Sequence, residues 1–128
     1  MFFGVHLLLM SRDPEADRAF FRDVLEMPAV DAGGGWLIFA LPPGEIAVHP
    51  SEAPLTTKHA GQDLAASTIY LMCQNLSATL ARLAGKGVEH TEIHQERWGT
   101  VTSIPLPGGG QLGLYEPHHP MAIKTTVG

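Results

Sequence analysis

Seven histidines are the side chains in this chain best suited to chemistry, and their settings differ. An imidazole can move a proton near neutral pH or bind a transition metal. His6 stands alone in an apolar run, and His49 closes another apolar run just before Pro50. His90 and His94 lie four apart in a polar, Glu-rich stretch; on a strand both would share one face, which reads as a solvated edge. His59, His118 and His119 fall in a connector and a tail and read as surface positions. Cys73 has no second cysteine to pair with and no basic neighbour to make a reactive thiolate. No Ser-His-Asp arrangement or nucleophile elbow is visible. The aromatic residues Trp98 and Tyr115, with Trp36 and Phe39, are better placed to wall a binding cavity.

These residues need elements to position them. Residues 5–10 form an apolar run that ends at Ser11-Arg12-Asp13-Pro14. A carboxylate at the N-cap followed by proline starts a helix. Apolar residues at three-to-four spacing extend that helix over about 14–26, with Pro28 beyond it. Strand-like runs follow at 29–32, 36–41 and 45–49, and residues 50–66 read as a connector rich in turn residues. The order then repeats. A run at 68–73 precedes Asn75, a second N-cap. Leu76, Leu80 and Leu83 mark an amphipathic helix that ends at Gly85 and Gly87, and strands are expected at 88–94, 100–104 and 111–115. The starts of the two halves register at an offset of 62, His6 on Thr68 and Asp13 on Asn75; the ends register at 66, Ile46 on Leu112 and Val48 on Leu114. Neither half buries a sheet face alone. The fold class expected is α+β: two βαβββ modules forming a curved mixed sheet around a cavity, with helices outside. The single domain would comprise a first module at about 4–49, the connector, a second module at 67–117 and a tail at 118–128.

That doubled unit resembles the vicinal oxygen chelate superfamily of glyoxalases, bleomycin-resistance proteins and extradiol dioxygenases. The likeness is carried by the segment from His6 to Asp13, by Ala19-Phe20-Phe21-Arg22-Asp23-Val24-Leu25, by Trp98-Gly99 and by the closing run from Gly110 to Pro117. The resemblance implies one divalent metal, iron, nickel or zinc, held by side chains of the first and last strands of each half. His6 matches the first of those positions. Thr68, Ala47 and Gly113 stand at the others, and none is a ligand of that kind. By strand alternation His49 shares the face of Ala47, and Tyr115 shares that of Gly113, while Glu116 points away. The metal ligands available to this pattern are therefore His6 and His49, one short of the usual three, and a third could only come from His90, His94 or a neighbouring subunit. A ligand-binding cavity is expected from His6, His49, Thr68, Tyr70, Trp98, Gly113 and Tyr115, with Cys73 facing the helix.

Composition narrows the functions further. Net charge is −5, and the first 66 residues carry nine acidic and four basic groups against four of each afterwards. No basic cluster exists to bind nucleic acid. No apolar run approaches the roughly 20 residues of a membrane span. A single cysteine and a start without a basic, cleavable leader favour the cytoplasm. The first expectation is a small-molecule-binding protein of the glyoxalase/bleomycin-resistance/dioxygenase type that lacks a complete metal site. The alternative is a metal-dependent glyoxalase-like lyase or extradiol-type dioxygenase with His6 as a ligand. The resemblance implies a homodimer in either case.

Overall fold

Asp13 and Pro14 act as their types dictate. In the computed structural model, which describes residues 1–123, Ala16 donates its N–H to Asp13 Oδ1 at 3.2 Å. Pro14 opens helix α1 (Pro14–Asp23). The helix stops short of residue 26 because Glu26 takes a left-handed φ of 55°. Helix α2 (Leu76–Ala84) starts in the same way, with Ala78 N–H donating to Asn75 Oδ1 at 2.9 Å. It ends before Gly87, whose φ of 79° suits glycine.

Strands β1 (Ala29–Asp31) and β2 (Leu37–Phe39) pair antiparallel. The connector holds a second antiparallel hairpin, β3 (Thr56–His59) and β4 (Gln62–Ala65), which the sequence reading does not contain. Its tight turn places Ala60 and Gly61 at φ 51° and 76°, a two-residue hairpin geometry. Every residue of this hairpin is exposed, so no burial pattern marks it in the sequence. Strands β5 (Tyr70–Met72), β6 (His94–Glu96), β7 (Gly99–Pro105) and β8 (Gln111–Pro117) form a four-stranded sheet in the order β5-β8-β7-β6. β5 runs parallel to β8, and the other pairs are antiparallel. The architecture is α+β, two helices with mixed, curved sheet that does not close into a barrel.

Three strand expectations fail locally. Residues 5–10 and 45–49 belong to no strand, and the strand expected at 88–94 begins only at His94. In the first two cases the runs are apolar enough but find no neighbour to pair with. In the third, Thr91 satisfies its backbone singly, donating its N–H to the Ser103 carbonyl at 2.9 Å.

Both helices lie on one face of the four-stranded sheet. Leu76, Leu80 and Leu83 of α2 meet Ile104, Leu106, Leu112 and Leu114, and Phe20, Phe21, Val24 and Leu25 pack against the same cluster. The core is thus built on the second half. In residues 1–66 only Asp17 is buried. Its Oδ1 accepts the Gly108 N–H at 2.8 Å, tying α1 to the β7–β8 turn. A Cβ at Gly108 would run into the Asp17 carboxylate and the Ser11 hydroxyl, so the contact needs glycine. Asp17→Ala leaves that N–H unpaired and is expected to cost about 1–3 kcal/mol, read from urea denaturation.

Candidate functional site

The pleat decides which residues of β8 face which way. Leu112 and Leu114 point to the helices, so Gly113 and Tyr115 take the opposite face. β5 aligns Tyr70 with Gly113 and Met72 with Tyr115. The Tyr70 ring lies directly over Gly113, where a Cβ would come within 2.6 Å of Tyr70 Cε1. Tyr115 is the centre of the group. Its ring meets Tyr70 edge-on at 5.4 Å and Trp98 edge-on at 5.8 Å between centroids. On a further side His119 stacks on it at 6.1 Å.

A polar tip accompanies this aromatic wall. The His119 Nδ1 lies 2.8 Å from the Pro120 carbonyl, which can only accept, so Nδ1 carries the proton. In the neutral ring Nε2 is then an acceptor, and the Tyr115 hydroxyl donates to it at 3.2 Å. Glu45 Oε2 stands 4.0 Å from the same nitrogen, and its Oε1 accepts the Ala122 N–H at 2.9 Å. Burial raises the Tyr115 phenol above its ordinary range, with Glu45 and Tyr70 adding to the effect. Tyr115 is therefore a protonated donor at neutral pH. Tyr115 is 9% exposed, whereas Tyr70 and Trp98 are each 42% exposed and present open edges on which a flat molecule could stack.

The structure thus brings together Tyr70, Trp98, Gly113 and Tyr115. It leaves apart the other residues expected beside them. Thr68 is exposed just ahead of β5. His6 is exposed in the unpaired N-terminal run, and His49 makes a 3.0 Å contact to its neighbour's Pro50 carbonyl. Two first-half aromatics have other partners: Arg18 sits 4.4 Å over the Trp36 ring, and Phe39 packs on Phe21 at 5.7 Å. His119 and Glu45 are the residues the sequence reading missed. His119 was expected at the surface, and instead it closes over Tyr115. The local signals around it are Pro117, which ends β8, and Pro120, which follows it directly.

The donor set does not fit a metal within this chain. Among the described residues no three His, Cys, Asp or Glu side chains stand close enough to hold an ion. Cys73 packs against the helical core, where burial pushes its thiol up. Glu116 points away from the wall, and its Oε1 accepts the Leu76 N–H at 3.0 Å at the start of α2. That bond, helped by His118, holds its carboxyl below the usual carboxylate range. A depressed folded value means the contribution is complete above the ordinary 4.5 and fades as pH falls through the lower folded value. Glu116→Gln is therefore expected to lower the melting temperature at pH 7, with the gap to the parent narrowing towards pH 3.

Two hollows lie elsewhere. One of about 260 Å³ is bounded by Asn75, Ser77, Gln95 and Glu116, and one of about 290 Å³ by Val30, Ile38 and Phe39. Neither includes the aromatic wall. Among the described residues no helix is long and apolar enough to cross a membrane.

The family model of the Glyoxalase/Bleomycin resistance protein/Dioxygenase superfamily matches residues 5–119. No curated protein matches the chain. Among solved structures, TnmS3, an antibiotic-binding protein from Streptomyces sp. CB03234, is 19% identical over 91% of this chain and 98% of its own, with a TM-score of 0.57. A superfamily member from Sphaerobacter thermophilus is also 19% identical, over 90% and 98%, with a TM-score of 0.57. A lactoylglutathione lyase from Agrobacterium tumefaciens is 17% identical over 84% and 88%, with a TM-score of 0.55. At these identities the likeness is one of fold.

Proposed function

This chain belongs to the Glyoxalase/Bleomycin resistance protein/Dioxygenase superfamily, and we propose that it binds a flat small organic molecule on the Tyr70–Tyr115–Trp98 wall without a resident metal. The observation that carries the reading is the wall itself: a buried tyrosine whose hydroxyl is already engaged, flanked by two half-exposed aromatic rings over a glycine. Such a surface offers stacking area and few reactive groups. Binding and sequestration need nothing more, whereas a lyase or dioxygenase needs a set of metal ligands that the described residues do not assemble. The net charge of −5 favours a neutral or cationic ligand. An antibiotic is the first kind of compound to try, since TnmS3 is an antibiotic-binding protein. The protein acts in the cytoplasm as a homodimer in this reading.

The test uses the two tryptophans. In Trp36→Phe the remaining indole is Trp98. Titration with planar aromatic compounds is expected to change Trp98 emission and raise the melting temperature, while elemental analysis finds no stoichiometric metal before or after adding iron(II), nickel or zinc. Stoichiometric metal that disappears in His6→Ala would overturn the metal-free reading in favour of the lyase or dioxygenase.

A further inference from the structure

The open face of the sheet continues past the aromatic rings. Side chains two apart on a strand share a face, so Gln111 stands on the same side of β8 as Gly113 and Tyr115, about 7 Å along the strand from Gly113. Ile104 points to the helices, so Ser103 of β7 takes this open face as well. The register sets Ser103 directly beside Gly113 and one step diagonally from Gln111. Gly113 contributes no side chain, and the Tyr70 ring and Ser103 flank it from β5 and β7.

A file of hydroxyl groups leads into Gln111. It starts in the core, where Thr102, 5% exposed, donates its hydroxyl to the Thr91 carbonyl at 2.8 Å. Thr91 Oγ1 accepts the Ser103 N–H at 3.0 Å. Its own proton has Ser103 Oγ as the nearest acceptor, at 3.0 Å, against 3.2 Å for Thr102 Oγ1 and 3.4 Å for the Ser103 carbonyl. A hydroxyl has one proton to give. Ser103 gives its own to Gln111 Oε1 at 3.2 Å. The amide is thereby turned with its oxygen towards Ser103 and its Nε2, with two N–H donors, away from it. Among the described residues no acceptor is bonded to that nitrogen. Donation into the amide oxygen polarises the group and strengthens those N–H donors. The neighbouring polar groups of the wall do not duplicate them. Tyr115 donates its proton to His119, and Glu45, a carboxylate, only accepts.

We infer that Gln111 selects, among planar molecules, those that carry a carbonyl oxygen on the rim. The rings lie on the Tyr70–Tyr115–Trp98 wall, and the oxygen accepts from Gln111 Nε2 past the Gly113 end of that wall. Gln111 touches the ligand, and Ser103 is a positioning residue that holds the amide in the donating orientation. This names the ligand class of the proposed site and rests on the reading that the wall binds a flat molecule.

The experiment uses two matched pairs, fluorenone with fluorene and xanthone with xanthene. Each pair shares a ring frame and differs in one carbonyl. Equilibrium dialysis of the unsubstituted protein is expected to show each ketone bound about fivefold more tightly than its partner, the scale of one neutral hydrogen bond. In Gln111→Glu the side chain still accepts from Ser103, so the contact within the chain is kept while the donors are lost. The preference is expected to vanish there, which a merely structural role for Gln111 would not cause. Ser103→Ala keeps the donors but lets the amide turn, and it is expected to halve the preference. Melting temperatures check that both variants fold. A preference that survives in Gln111→Glu, or that is missing from the parent while both members of a pair bind, overturns the role of Gln111 and leaves the wall reading standing. Binding of none of the four compounds overturns the wall reading, and this inference with it.

Discussion

Ile104→Ala is expected to destabilise the protein by about 2–5 kcal/mol, the range for emptying a fully buried branched side chain. Ile104 is 0% exposed near the end of β7, in the cluster beneath α2 and opposite Leu112. The packing around it has little reserve. The buried cluster holds seven residues, all from the second half. A typical domain has only about 5–15 kcal/mol of net stability, so this one substitution removes a large share. Urea denaturation followed by circular dichroism and by Trp98 emission measures it, and the two signals should shift together. Leu64→Ala, in a hairpin where the side chain is 49% exposed, should shift the midpoint by no more than about 0.5 kcal/mol. Equal effects at the two positions would mean that the first half contributes a core of its own in solution.

The contrast between the halves also explains how far the sequence can be read. Apart from the strand expected at 88–94, the second half was legible to within a few residues because its signals are local. Asn75 caps α2, the leucine spacing draws its buried face, and the Pro107–Gly110 turn closes β7 onto β8. The fold class and the family followed from the repeat. The runs at 5–10 and 45–49 were equally strand-like, yet apolarity states only that a segment is to be covered and not by what. Neither run pairs with a strand in this structure, so local reasoning placed them in strands the chain does not form. The hairpin in the connector failed for the opposite reason: it is polar and exposed, with nothing but a turn to mark it.

The candidate site divides along the same line. Tyr70, Gly113 and Tyr115 were found because alternation along paired strands fixes a face once the register is known. Trp98 lies immediately before β7 and shares in that register. His6 and His49 depend on strands that are unpaired here, so no rule of alternation could bring them to Tyr115. His119 lies beyond the last strand, where periodicity carries no information, and its place is set by its contacts with Tyr115.

Gly113→Ala tests whether the wall binds anything, and it should weaken affinity for a planar ligand about tenfold or more. Gly113 has no left-handed backbone, so alanine is acceptable to the strand itself. The obstacle is the Tyr70 ring, which the new methyl would strike at Cε1, 2.6 Å away, and more closely at Cδ1. The ring must swing aside, which gives up its 5.4 Å edge contact with Tyr115 and half of the open stacking surface. Overpacking of this kind costs about 1–3 kcal/mol, and about 1.4 kcal/mol lost from binding is the tenfold expected. Titration of Trp98 emission in the Trp36→Phe background reads the affinity, and urea denaturation reads the stability. Adding Tyr70→Ala removes the collision, so the double variant should recover stability without recovering affinity, a non-additivity that marks direct contact. If Gly113→Ala binds as tightly as its parent, Tyr70 is not part of the binding surface and the wall reading is overturned.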